Sequence, residues 1–266
     1  PKIDELVLRL TKSKVYCLID MMKGYWQAPL AKSAQKLFVF ATHDGLWAPT
    51  RVQMGAKNSG AHFQGVMQKA FSHLIYERLL VYLDDLLGHA KGWRELIDVL
   101  CEILTVLKNL GIKVHPDKCT LYSNEVAWCG HVVSARGVSV NPERVDALVR
   151  MPEPKTAAEL QQFLAAINWV RMKLPNYSVV AAPLNALLNL CLLGTKRTRA
   201  AAAGIDLSRV GWSEVHAAAY AELKELLVNA VTLAHPRTDF IFCLFTDASE
   251  IGWGAVLTQI SPEDQG

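Results

Sequence analysis

The 266-residue sequence lacks several things that would settle its class at once. No apolar run reaches the roughly 18–20 residues of a membrane helix and no signal segment stands at the start, so no membrane partner is expected. The six cysteines, Cys17, Cys101, Cys119, Cys129, Cys191 and Cys243, are scattered and form no CxxC pair. That argues against a disulfide scaffold and fits a reducing compartment. His131 follows Cys129 by two residues, but no second Cys/His pair at ligand spacing makes a zinc site of it. There is no internal repeat, and neither sign of charge dominates: the net charge is +3. Near-neutrality neither demands nor excludes a nucleic-acid partner, because basic residues can gather in one cleft. The chain opens on Pro1 rather than Met and stops just after a strand-like run, so both ends read as cuts through a longer polypeptide.

What is present is ample core material. Hydrophobic residues make up 51% and charged residues 20% of the chain, the balance of a globular protein with more than one core. Residues 1–10 have helical spacing. Val15 to Ile19 is a continuous apolar run, the pattern of a buried strand, and it delivers Asp20 at its end. Leu37–Phe40 and Trp47–Val52 flank His43-Asp44-Gly45 and read as a hairpin. Ser59 to Leu74 reads as a helix, and Leu79 to Leu83 as a second apolar strand ending at Asp84-Asp85. Trp93 to Leu110 places Leu96, Val99, Leu100, Ile103, Leu104 and Leu107 on one helical face, capped by Gly111. A strand at Lys113-Val114 and a hairpin over Val126–Val140 follow. Pro142 and Pro152-Glu153-Pro154 mark a boundary. Beyond it, 157–174, 181–192 and 213–229 read as helices, Thr195–Ala203 as a basic loop or insertion, and 240–246 with 254–259 as two strands.

An apolar strand ending in two adjacent carboxylates, followed by Leu86-Leu87, predicts a tight hairpin with acids at its turn. Like charges so close repel and are best tolerated beside a divalent cation. A second buried strand ending in Asp20 can supply a partner carboxylate for hard, oxygen-preferring ions such as Mg2+. Two such ions about 3.5–4 Å apart activate an attacking hydroxyl and stabilise a leaving phosphate oxygen. The residues alone leave two readings open, a solvated acidic turn and half of a two-metal site.

A resemblance adds what spacing does not. Tyr82-Leu83-Asp84-Asp85 resembles the YxDD box of reverse transcriptases, in a context similar to that of gypsy-type LTR retrotransposons. Residues 18–27 resemble the LDLKSGYHQ stretch of that family, 55–64 resemble GLKNAPATFQ, and 111–119 resemble GLxLNPxKC. Residues 128–134 are similar to FLGHxIS, and 152–163 to the thumb segment PxPKTxxELxxFLG. Residues 245–249 with 252–259 resemble the opening of an RNase H domain.

The resemblance implies an α+β fold: a polymerase palm with an antiparallel sheet and packed helices, a helical thumb and connection, and the first strands of an RNase H-like domain. Residues 1–140 are then the palm with a remnant of the fingers, 141–235 the thumb and connection with a basic insertion near 195–205, and 236–266 the truncated RNase H start. It implies catalytic, Mg2+-binding roles for Asp20, Asp84 and Asp85, with two ions and Mn2+ as a substitute. Tyr25 falls where the family places the aromatic that abuts the sugar 2′ position and excludes a 2′-hydroxyl; Lys118 faces the nucleotide phosphates. Lys57, Asn58 and Gln64 fall at template or nucleotide contacts, and Trp128, Gly130 and His131 at the hairpin that grips the primer, where Gly130 lets backbone approach backbone. Asp247 is the first RNase H acid. Thr195–Arg199 is basic enough to touch phosphates, or is a solvated loop.

The implied activity is RNA-directed DNA synthesis, joining a dNTP to a primer on an RNA or DNA template. The implied partners include the rest of a Pol polyprotein, and the implied setting is a cytoplasmic virus-like particle. The sequence departs from the family pattern at Gln53-Met54-Gly55 (PFG), at Gly60-Ala61-His62 (PAT), and at Leu87-Gly88-His89, where Gly88 is expected to weaken a strand. The fingers segment with its triphosphate-binding cations is expected upstream of Pro1, so the chain by itself is expected to polymerise poorly. The alternative is a decayed or co-opted copy that binds nucleic acid or a partner without catalysis.

Overall fold

A computed structural model of the chain describes residues 3–194, 199–249 and 252–264. Two compact units emerge: 1–129 with 133–136 and 234–266, and 130–132 with 137–233. The segment 236–266, expected to open a third domain, therefore groups with the first unit.

In the first unit, α1 (Ile3–Val7) leads to β1 (Val15–Asp20), and two short helices, α2 (Gly24–Gln27) and α3 (Lys32–Gln35), follow. The expected hairpin is present but shorter, β2 (Phe40–Thr42) paired with β3 (Gly45–Trp47). Then come α4 (Ser59–Ala70), β4 (Leu79–Tyr82), β5 (Asp85–Ala90) and α5 (Trp93–Leu110), which ends on Gly111 at φ 68°. That left-handed cap suits glycine and stops the helix where the sequence predicts. The strand expected at Lys113-Val114 is only an isolated bridge from Val114 to Met21; the true strand is β6 (Thr120–Ser123).

Apart from the β2–β3 hairpin, these strands form one antiparallel sheet in the order β4-β5-β1-β6. Val15, Cys17 and Ile19 of β1 join Phe63 and Met67 of α4 and Leu96, Val99, Ile103 and Leu107 of α5 in one core. On the alternate positions Tyr16, Leu80 and Leu87 are also buried. Burial on both faces is why β1 and β4 read as unbroken apolar runs rather than alternating ones. Leu104, expected on the buried face of α5, is exposed.

Gly88 reverses its expected role. It sits inside β5, and a Cβ there would lie 2.5 Å from Cys17 Sγ and 3.1 Å from both Val99 and Ile103. The missing side chain lets α5 settle on the sheet, so it is a packing requirement rather than a weak spot.

Where a hairpin over Val126–Val140 is expected, three strands follow, β7 (Glu125–Trp128), β8 (His131–Ser134) and β9 (Gly137–Val140), and the division between the units falls within this stretch. The second unit continues with α6 (Pro142–Val149), α7 (Ala157–Asn168), α8 (Tyr177–Cys191), α9 (Arg199–Ala203), α10 (Leu207–Val210) and α11 (Glu214–Val228). Pro142 marks the first turn of α6 rather than a linker, and Asn141 caps that helix by accepting from Glu143 N–H. Residues 199–203, expected in a loop, are helical; residues 195–198, with the basic Lys196 and Arg197, lie outside the described ones. Thr156 and Glu159 close a capping box at the start of α7. Leu160, Phe163, Leu184, Tyr220 and Leu223 anchor this unit's own core.

The chain closes, back in the first unit, on β10 (Ile241–Ser249) paired with β11 (Gly252–Ile260). No described helix is long and apolar enough to cross a membrane.

Candidate active site

Asp20 is the last residue of β1 and Asp85 the first of β5, and the two are directly opposed across the ladder. Tyr82 pairs with Asp85, so Leu83 and Asp84 make a two-residue turn. Met21 N–H donates to Asp84 O at 3.1 Å, fastening this turn to the end of β1. The expected hairpin is therefore real, with the acids at the junction of two strand ends.

The turn is strained and braced. Leu83 has φ 55°, a left-handed conformation that a leucine rarely adopts. Gln64 of α4 holds it there: its Oε1 accepts from Leu83 N–H at 2.7 Å and its Nε2 donates to Val81 O at 3.0 Å. Gln64 is only 7% exposed, so the expectation of a template or nucleotide contact gives way to a bracing role. Gly24 makes room on the other side, since a Cβ there would lie 3.0 Å from Asp84 Cβ. Gln27 clamps the neighbouring backbone, accepting from Lys113 N–H at 2.7 Å and donating to Lys113 O at 2.8 Å. Sequence reasoning missed these braces because each acts across the sheet rather than along the chain.

Electrostatics mark the site. Burial first, then the charges of Asp84 and Asp20, push the Asp85 carboxyl up to about 6, and Lys118 opposes the shift. A cavity of about 460 Å³ is lined by Asp20, Asp84, Lys118, His115, Lys23 and the adjoining methionines. Tyr25 lies beside it: burial, then Asp84 and Tyr82, raise its phenol, and its ring sits 5.2 Å from that of Phe63. Gly60, at the start of α4, has its Cβ position 3.5 Å from the Tyr25 hydroxyl. Lys57 and Asn58 are exposed just ahead of that helix. Cys129, weighed in the sequence only as half of a zinc pair, is close enough to feel both Asp85 and Asp84, and burial drives its thiol up to about 12.

The donor chemistry suits a hard divalent cation: carboxylate oxygens that repel one another, one of them protonating unusually easily. Among the described residues, however, no three His, Cys, Asp or Glu side chains converge as a ready metal cluster. Side-chain adjustment, and oxygens from outside the chain, would have to complete the coordination.

The expected primer-grip residues divide differently. Trp128 and His131 are each 1% exposed, so their side chains are structural and only the turn backbone is presented. In the second unit, Lys173 Nζ donates to His131 Nδ1 at 2.6 Å, and Trp169 stacks on the same imidazole at 4.4 Å between ring centres. Burial, then Lys173 and Arg144, lower His131 to about 4. Gly130, at φ 79°, is required, since a Cβ would press on Arg144 and Trp169. Asp247 lies exposed on β10, accepting from Ala248 N–H at 3.0 Å.

Comparison with known proteins gives the family and the fold. Residues 1–133 match the family described as "Reverse transcriptase (RNA-dependent DNA polymerase)". Residues 212–265 match "RNase H-like domain found in reverse transcriptase", a span that begins within α11's approach rather than at 236. The chain is 30% identical over 259 residues to the retrovirus-related Pol polyprotein from transposon 297 of Drosophila melanogaster, covering 97% of this chain and 23% of that protein. It is 26% identical over 265 residues to the Tf2-3 polyprotein of Schizosaccharomyces pombe, covering 100% of this chain and 19% of that protein. The chain thus spans less than a quarter of these curated relatives. In fold it resembles the foamy viral protease-reverse transcriptase solved with dsDNA, with TM-score 0.81, 22% identity, and coverage of 97% of this chain and 51% of that one. The same foamy viral protein solved with an RNA/DNA hybrid gives TM-score 0.77 at 22% identity, covering 97% of this chain and 35% of that one.

Proposed function

The chain belongs to the reverse transcriptase family, and from that premise we propose that it is the palm-to-thumb part of an RNA-directed DNA polymerase from a retrotransposon Pol polyprotein, of the gypsy type. The observation that carries the reading is the meeting of Asp20, Asp84 and Asp85 at two strand ends, beside a cavity that also holds Lys118. Residues 1–140 are the palm, and 141 onward the thumb and connection, giving way to the RNase H-like part matched at 212–265. The reaction joins a dNTP to a primer 3′-hydroxyl on an RNA or DNA template and releases pyrophosphate. The transposon polyproteins among its relatives support an origin in such a polyprotein; in this reading the chain works with the polyprotein's other parts in a cytoplasmic particle.

Each residue has a task in that reading. Asp20 and Asp84, with Asp85 beside them, would hold two Mg2+ ions or Mn2+, whose chemistry is to neutralise phosphate charge and polarise the reacting oxygens. Lys118 offsets carboxylate charge and reaches the phosphates in the same cavity. Tyr25, wedged between Phe63 and the turn, limits space at the sugar 2′ position. Gln64 and Gly24 keep Asp84 in place, which matters because small misplacements of catalytic groups cost large factors in rate. The exposed Lys57 and Asn58 and the Cys129-Gly130 turn backbone present themselves to template and primer. Asp247 belongs to the RNase H-like part.

Primer extension tests the reading, on this chain and on a longer one carrying upstream residues, with Mg2+ or Mn2+. Extension by the wild type that is lost in Asp84→Asn is the expected result. Extension that persists in Asp84→Asn overturns the site. If neither wild-type chain extends a primer or binds Mg2+ at millimolar concentration, the non-catalytic alternative replaces this one.

A further inference from the structure

At the end of the sheet opposite the carboxylates, within the first unit, the structure forms a cavity of about 760 Å³ whose lining includes Lys12, Lys14, Lys91, Arg136 and Arg237. These cations come from four stretches far apart in sequence: the approach to β1, the exit of β5, the turn after β8 and the segment before β10. Their frame is tied together. Thr11 Oγ1 donates to Pro236 O at 3.0 Å, His235 Nε2 meets Ser134 O at 2.8 Å, and Gln259 bridges His235 O and Arg237 N–H, both at 2.8 Å. Lys14 N–H donates to Ala90 O at 2.9 Å, which sets Lys14 and Lys91 side by side at the end of the β1–β5 ladder.

Neighbouring acids pair with two of these five cations, Arg237 and Arg136, and leave the three lysines. Asp239 is engaged by Arg237, and Lys12 is only the weakest of the influences on it. Glu125 stands 3.9 Å from Arg136, both well exposed. Glu95 accepts from the backbone N–H of Lys91. Lys12, Lys14 and Lys91 have no ion pair among the described residues. Three lysine charges gathered without partners disfavour the fold unless something anionic is offered to them.

We propose that this cavity is a second nucleic-acid contact, a site that takes the phosphodiester backbone of a strand away from the catalytic carboxylates. Its cations are long, exposed and spread over an open concave wall. That suits successive phosphates along a strand, which flexible Lys and Arg side chains neutralise without reading sequence. Cations drawn from four stretches of chain, all exposed, suit an extended strand better than one compact phosphate. Contact at this end would extend the footprint of a bound strand along the palm without touching the reacting atoms.

Lysine acetylation footprinting by mass spectrometry tests this on the wild-type chain, with a single-stranded oligonucleotide as one probe and inorganic pyrophosphate as another. Protection of Lys12, Lys14 and Lys91 by the oligonucleotide, but not by pyrophosphate at matched phosphate concentration, supports the proposal. Protection by pyrophosphate alone makes this a free-phosphate site and overturns it, as does no protection by either probe. The combined variant K12Q/K14Q/K91Q should lower the slope of log affinity against log salt by about 2, from about 0.7 per phosphate contact on single strands. An unchanged slope in a variant that retains its melting temperature overturns it as well. Footprinting Asp84→Asn in parallel separates this site from the catalytic reading: that variant should lose extension and keep the protection of Lys12, Lys14 and Lys91.

Discussion

The same two strands carry opposite chemistry at their two ends. Where β1 finishes and β5 begins, Asp20 faces Asp85, with Asp84 on the turn beyond. Five residues back along the ladder Val15 faces Ala90, and Lys14 and Lys91 flank that pair. Between the ends lies an apolar, close-packed stretch with Gly88 at its tightest point. Each end gathers like charge that it neutralises only in part, through Lys118 at one and through Asp239 and Glu125 at the other, so each is arranged for something from outside: cations at one, phosphates at the other. The middle exists to hold the two ends still.

The largest effect should come from breaking the acidic end. Asp84→Asn keeps the size of the side chain and removes its charge, and primer extension should fall by at least about 10²–10³-fold, the scale seen when one preorganised electrostatic group is lost. Unfolding by urea should barely change, because removing one of three repelling carboxylates relieves strain. A large loss of stability with retained extension would place Asp84 in the framework instead.

The next effect probes the middle. Gly88→Ala forces a Cβ to within 2.5 Å of Cys17 Sγ and should cost about 1–3 kcal/mol in urea unfolding. Combining it with Cys17→Ala should recover part of that loss, and a strictly additive double-mutant cycle would show that the crowding lies elsewhere. Gln64→Leu should cost about 1–2 kcal/mol by leaving Leu83 N–H without its acceptor. It should also slow extension, because the turn that carries Asp84 is loosened; unchanged kinetics would confine Gln64 to stability.

These positions also show what the sequence discloses and what it conceals. β1, β4 and α5 are legible because their patterns are local: a continuous apolar run, a 3.6-residue stripe, a glycine stop. The acids are legible because each ends such a run. Gly88 reads as a flaw in a strand until Cys17, 71 positions earlier, is placed against it. Gln64 reads as a surface residue of a helix until the turn it braces is in view. Trp128 and His131 match a motif for gripping a primer, yet both are buried, since a motif records residue identity and not which atoms face outward. The basic cavity is invisible in a chain of net charge +3, because its cations meet only after folding.

The smallest effect is the most discriminating, because two groups on one strand pull stability in opposite directions with pH. Asp85 has its pKa raised from 3.8 to about 6, so the folded state holds its proton more tightly than the unfolded chain does. Its contribution is fully present below about pH 4 and is lost as pH rises through 6. His89, four residues along β5, is buried with Nδ1 2.8 Å from Ser13 Oγ, and burial lowers it from 6.5 to about 4. Its contribution is present above pH 6.5 and is lost as pH falls through 4. In the wild type the two slopes partly cancel, and melting temperature should vary little between pH 4 and 6.5 on their account. Asp85→Asn should uncover the histidine slope, so that the protein becomes less stable as pH falls across that window. His89→Gln should uncover the opposite slope, with stability rising as pH falls. Millimolar Mg2+ should flatten the Asp85 slope alone, because a cation among the carboxylates favours the ionised form and draws its pKa back down. If Mg2+ acted equally on both variants, it would be binding somewhere other than the acidic end of the sheet.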